Sequence, residues 1–96
     1  MHAVIRTYSG PAAKKLFDLL EERKKEVEGI IRPIKGFVSY SLLRTADGGA
    51  SVTVCEDKAG TDESLEAARG WIQKNASSIS ATAPTVSEGS VILQLK

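Results

Sequence analysis

Ala3–Tyr8 is a short run, apolar at Ala3, Val4 and Ile5 and β-branched in part, and Ser9-Gly10-Pro11 closes it. A short β-branched run predicts a strand, and the Ser-Gly-Pro stop predicts a turn after it. Ser9 or Gly10 can cap a following helix, with Pro11 in the first turn, where a missing N–H costs nothing. A helical period follows. Leu16, Leu19, Leu20, Val27, Ile30 and Ile31 recur at spacings of three and four, which predicts one amphipathic helix over Pro11–Arg32. Gly29 weakens its last turn, and Pro33 disfavours helical geometry at Arg32. Phe37–Thr45 and Ala50–Glu56 read as the two arms of a hairpin. Ala46-Asp47-Gly48-Gly49 joins them, and the Asp-Gly pair predicts a tight turn with Gly48 at positive φ.

A second helix is expected from Thr61, as its N-cap, to about Ser77. Leu65, Ala68, Ile72 and Ala76 form its buried stripe, with Trp71 at the margin. Residues 77–90 are small and polar, broken by Pro84 and Gly89, and predict an irregular connection in which part of Thr85–Ser87 is extended. Ser90–Leu95 reads as the last strand. The order β-α-β-β-α-β predicts a ferredoxin-like α+β domain over residues 1–96. Its four-stranded antiparallel sheet has the spatial order 4-1-3-2, with both helices on one face.

Strand alternation also sorts residues by face. Ala3, Ile5, Val38, Tyr40, Leu42, Val52 and Val54 form an apolar set, expected beneath the helices. His2, Val4, Arg6, Tyr8, Phe37, Ser39, Ser41, Leu43, Ser51, Thr53 and Cys55 form a mixed set for the other face. That second set is too apolar for open water, and the run VILQL is apolar on both sides. A second copy of the chain is expected to cover it, as a two-fold homodimer.

Composition narrows the functional classes. With 13 Lys+Arg against 12 Asp+Glu in 96 residues, the net charge of +1 lacks the footprint of a nucleic-acid binder. The basic excess lies on the first helix, interleaved with acids such as Glu21, Glu22 and Glu26, which is the pattern of a solvated face. One cysteine and one histidine exclude an intrachain disulfide and most metal sites, so no metal and no cofactor is expected. No apolar run approaches the roughly 20 residues of a membrane span, so no membrane partner is expected. MHAVIRTYSG lacks the order of a signal peptide, which points to the cytoplasm.

Taken together, HAVIRTY, the long helix ending before IKGFVSYSLLRT, and SVTVCED leading into TDESLEAARGWIQKNA resemble the dimeric α/β-barrel superfamily, the antibiotic-biosynthesis-monooxygenase-like group. Gly36-Phe37 matches the Gly–aromatic opening of the second strand common in that group. The likeness covers almost the whole chain and is closest to small uncharacterised bacterial members. It implies a pocket between sheet and helices. Some members oxidise aromatic polyketides or quinols without metal or flavin, others degrade haem, and others bind without catalysis. Cofactor-free oxygenation there is associated with Asn, Trp, Tyr and His. Trp71 and Asn75, at i,i+4 on the second helix, supply two of these. The Asn often drawn from the first strand is replaced here by Arg6. The second helix has no histidine to ligate haem, so haem binding is disfavoured.

The candidate ligand-binding residues are therefore Trp71, Tyr40, Asn75 and Arg6, around an apolar or aromatic small molecule. Trp71 is expected to reach an opening from the edge of its stripe, and Tyr40 to point toward the helices. Arg6 falls on the other face by alternation, and an edge position or an ion pair with Glu56 is its alternative role. His2 reads as an edge residue. Cys55, followed by Glu56 and Asp57, reads as a buried, unreactive thiol. No catalytic residue stands out, and a monooxygenase-like reaction is the most that the sequence supports. The alternative is a catalytically silent structural or regulatory dimer, of the ACT or stress-response kind. An RNA-recognition domain would need aromatic platforms that Ser51–Cys55 lacks, and a copper chaperone would need a cysteine pair near Ser9-Gly10-Pro11.

Overall fold

The computed structural model describes all residues, 1–96. Its elements are β1 (His2–Ser9), α1 (Pro11–Glu22), α2 (Lys24–Ile31), β2 (Phe37–Thr45), β3 (Gly48–Cys55), α3 (Lys58–Asn75) and β4 (Thr85–Ser90). The strands form one antiparallel sheet in the order β2-β3-β1-β4, the expected ferredoxin-like arrangement read from its other edge.

The first helix is divided. Arg23, at φ −110° and ψ 31°, separates α1 from α2, although its N–H still reaches the Leu19 carbonyl at 2.9 Å. The break turns Val27 and Ile31 onto the core already occupied by Leu16, Phe17 and Leu20. α3 begins three residues before the expected start. Asp57 is its N-cap, and its carboxylate accepts from the Gly60 N–H at 3.1 Å.

The hairpin turn is tighter than its sequence suggests. Thr45 pairs directly with Gly48, so only Ala46 and Asp47 form the turn. Gly48 lies inside β3, and the glycines at positive φ are Gly10 and Gly36. Space explains Gly48 and Gly49. A Cβ on Gly48 would sit 2.5 Å from the Tyr8 carbonyl oxygen, and one on Gly49 would sit 2.4 Å from the Phe17 ring. These two residues let α1 lie directly on the sheet.

The two faces of the sheet divide differently from the expected sets. In β1, Val4, Arg6 and Tyr8 are buried beneath the helices, while Ile5 is 41% exposed on the open face. The direct pairs Val4↔Thr53 and Arg6↔Ser51 bring Thr53 and Ser51 of β3 to the helix side as well. Tyr40↔Thr53 and Leu42↔Ser51 put Tyr40 and Leu42 there too, as expected for β2. The reason lies at Gly49, whose missing side chain lets the Phe17 ring approach the strand; alternation from Gly49 then carries Ser51, Thr53 and Cys55 to the helix side and Val52 to the other. A register irregularity between Phe37 and Ser39 skips Val38, so Phe37 and Tyr40 share a side despite their odd separation.

The last strand is also shifted. β4 runs over Thr85–Ser90, and the expected strand at Ser90–Leu95 does not form. His2 pairs with Ser90, so β1 has no residues left to pair with the chain beyond Val91. A bond from the Val91 N–H to the Met1 carbonyl, 3.0 Å, ends the ladder. Ile92, Leu93 and Leu95 then lie exposed, Ile92 at 98%.

Candidate functional site

The space between sheet and helices is divided into unequal parts. The largest is a cleft of about 540 Å³ between β1, β4, α3 and the segment after α3. Leu65 and Ile72 of α3, Leu16 of α1, and Ile79, Ala81 and Val86 form its apolar walls. Arg6 and Tyr8 rise from its floor, and Arg69 and Gln73 stand on the α3 side. A smaller groove of about 240 Å³ lies beside α2, bounded by Lys24, Arg32, Phe37 and Tyr40. Between the two is a void of only about 20 Å³, bordered by Arg6, Tyr40 and Trp71. A space of that size is at the limit for one water molecule.

Arg6, Tyr40 and Trp71 thus surround one small internal void, while Asn75 borders none of these spaces. Arg6 is on the same face as Tyr40, against the alternation expected from sequence. α3 is rotated relative to its apparent apolar stripe. It buries Thr61, Ser64 and Trp71, and leaves Leu65 and Ile72 half-buried at the cleft. Trp71, 8% exposed, is a core residue whose indole N–H donates to Glu26 at 3.4 Å. Asn75 ties helices together: its amide donates to the Trp71 carbonyl at 2.9 Å and its oxygen accepts from Arg23 at 3.2 Å.

Arg6 is 7% exposed and forms no ion pair, with Glu56 or any other acid. Its Nη2 donates to the Tyr8 hydroxyl, two residues along the same side of β1, and its guanidinium carbon lies 5.3 Å from the Tyr8 ring centre. Tyr8 is fixed in turn by an edge contact with Phe17, 5.8 Å between ring centres. Burial raises the pKa of the Tyr8 phenol above its ordinary value, against the lowering effect of Arg6. Burial likewise pushes Tyr40 up to about 12, again with Arg6 opposing. Both phenols are therefore neutral near pH 7.

This shift has a consequence for stability. The folded pKa of Tyr40 exceeds the ordinary value of 10.0, so the neutral phenol is the form that the fold favours. Stability from this group is complete below pH 10.0 and is lost as pH rises toward 12. Urea midpoints measured from pH 8 upward should fall across that window, and fall less in Tyr40→Phe. Identical alkaline profiles would show that the phenol is not held neutral by burial.

Sequence reasoning missed Tyr8 as a site residue, together with Ile72, Arg69 and Gln73. The -R-T-Y- spacing of β1 was the available signal, because residues two apart in a strand share a face. His2 lies away from the cleft: its Nδ1 is 2.9 Å from the Thr61 hydroxyl and its Nε2 is 3.5 Å from Glu88. Cys55 is fully buried, and burial with the nearby Asp57 and Glu63 raises its thiol pKa. No group of three or more His, Cys, Asp or Glu side chains is placed to hold a metal ion.

No protein-family model matches the sequence, and no curated protein matches it. Solved structures match in shape. A variant of MhuD, a haem-degrading protein of Mycobacterium tuberculosis, with two manganese protoporphyrin IX molecules bound per active site, superposes with a TM-score of 0.74 at 20% identity. That match covers 100% of this chain and 99% of the other. A monooxygenase from Streptomyces coelicolor in complex with nanaomycin D gives 0.62 at 22% identity, over 99% and 89% of the two chains. A dimeric ferredoxin-like protein from an uncultured marine organism gives 0.67 at 11% identity, over 99% and 95%. The chain has the ferredoxin-like fold, shared with solved structures that include a haem degrader, a monooxygenase and a dimeric ferredoxin-like protein.

Proposed function

We propose that this protein binds an apolar or aromatic small molecule in the cleft beside α3, and does so as a homodimer. The observation that carries the binding reading is the cleft itself. Its volume of about 540 Å³ lies within the roughly 300–1,000 Å³ of small-molecule sites. Apolar walls would hold a flat ligand, and Arg6, Tyr8 and Gln73 are polar groups that converge on one space, which a purely structural dimer has no use for. Neighbours of the same fold hold manganese protoporphyrin IX and nanaomycin D, which supports a ring-bearing ligand of that general kind.

The cleft lining contains no carboxylate and no imidazole. It can bind and orient a ring system, but it offers no base near neutrality to take a proton from a neutral phenol. Binding is accordingly the function supported best, and monooxygenase-like chemistry would fall to a ligand that is already acidic. A cleft lined without histidine also argues against haem as the resident ligand.

Dimerisation is supported by the open sheet face, where Ile5 and Leu43 are exposed, and by the uncovered Ile92, Leu93 and Leu95. The dimeric ferredoxin-like neighbour supports the same reading. No helix is long and apolar enough to cross a membrane.

The test of binding uses 2-naphthol, a neutral fluorescent ring compound. Its fluorescence should shift on saturable binding to the native protein. The response should be lost in Ala83→Trp, which fills the mouth of the cleft from an exposed position. An unaltered titration in that variant would place the binding elsewhere, and no response in the native protein would leave the silent-dimer alternative.

A further inference from the structure

We infer that the ligand of the cleft carries one carboxylate, and that this carboxylate pairs with the guanidinium of Arg6. The inference rests on the reading of the cleft as a ligand site and specifies what enters it.

A buried cation is costly unless an opposite charge or a full set of acceptors surrounds it. Arg6 has neither. Its sheet neighbours are Ser51 on β3 and Val86 on β4, and no acidic side chain comes within 4.0 Å. Its protein acceptor is the neutral Tyr8 hydroxyl, taken by one nitrogen, Nη2. No side-chain nitrogen or oxygen sealed from solvent lacks a partner. The remaining donors of Arg6 therefore border accessible space, and the accessible space that Arg6 lines beyond the small void is the cleft. A positive charge is held in place, mostly dehydrated, at the border of a ligand-sized volume.

The chemistry of the guanidinium then selects the partner. Its planar fork matches the two oxygens of a carboxylate, and charge-assisted pairs are the strongest hydrogen bonds available to a side chain. One uncompensated charge suits a monoanion better than a phosphate. The second cation of the cleft, Arg69, is exposed and already shared with Glu66 at 3.2 Å, so it contributes at the mouth rather than at the floor. Apolar walls on either side accept the ring to which the carboxylate is attached. Tyr8 holds Arg6 from behind through the hydroxyl and through its ring face, which keeps the fork aimed without neutralising it.

The experiment compares 2-naphthoate with 2-naphthamide, which has the same shape and no charge, by calorimetry on the native protein at neutral pH. Naphthoate should bind at least about tenfold more tightly, the scale of one charge-assisted hydrogen bond. In Arg6→Gln that preference should disappear while the amide still binds. In Arg69→Gln, which removes the cation at the cleft mouth and leaves the core untouched, the preference should fall by less than in Arg6→Gln and its larger part should remain. Should Arg6→Gln fail to fold, the native preference together with its retention in Arg69→Gln decides the matter. Equal affinities for the two compounds would overturn the carboxylate inference and leave the aromatic-binding reading intact. Loss of the preference in Arg69→Gln would move the anion site to the surface and overturn it too. Binding of neither compound would remove both readings.

Discussion

Gly49→Val is expected to destabilise the protein by about 3 kcal/mol or more, the upper range for overpacking a dense core. The added Cβ alone would lie 2.4 Å from the Phe17 ring, which is itself buried against Tyr8. The ring is in edge contact with Tyr8 and lies in the same buried cluster as Leu16 and Leu20, so it has little room to move aside. A domain of this size has only about 5–15 kcal/mol in total, so the variant should show a large drop in its urea midpoint. A midpoint unchanged from the native protein would mean that α1 does not lie on β3 as described. The smaller Gly48→Ala change tests the same contact through backbone, since its Cβ would meet the Tyr8 carbonyl at 2.5 Å.

A pair of adjacent substitutions should separate folding from association. Val4 is 1% exposed in the core, and Val4→Asp places a carboxylate there with no partner, a cost of several kcal/mol. That variant should be largely unfolded by circular dichroism. Ile5→Asp changes the open face of the same strand, and should give a folded protein that sediments as a monomer where the native protein sediments as a dimer. If Ile5→Asp is unfolded and Val4→Asp is folded, the two faces of β1 are reversed. If the native protein is monomeric at micromolar concentration, the homodimer proposal fails.

The order of elements was legible because each carries its own local signal. Ser9-Gly10-Pro11 stops β1 and starts α1, and Asp47-Gly48 marks the hairpin. The ferredoxin-like sheet order follows from that sequence of elements with right-handed crossovers. The faces of the strands were not legible from apolarity alone. Ile5 and Val52 look like core residues, while Ser51 and Thr53 look exposed. The Phe17 ring approaches β3 at Gly49, and alternation from there places Ser51 and Thr53 beneath the helices. α3 likewise buries Thr61, Ser64 and Trp71, while Leu65 and Ile72 face the cleft. Of the residues singled out for a ligand site, Arg6 reaches the large cleft, Tyr40 and Trp71 meet it across the small void, and Asn75 is a link between helices. β4 was displaced because its position is set by pairing with β1, which no window of local sequence contains.

The binding account is tested most directly by mapping amide chemical shifts as 2-naphthol is titrated into the native protein. The cleft beside α3 predicts that the largest changes fall on Leu65, Arg69, Ile72, Gln73, Ala81 and Val86, with Arg6 and Tyr8 following. Changes confined to Lys24, Glu28 and Arg32, around the groove beside α2, or no changes at all, would contradict it.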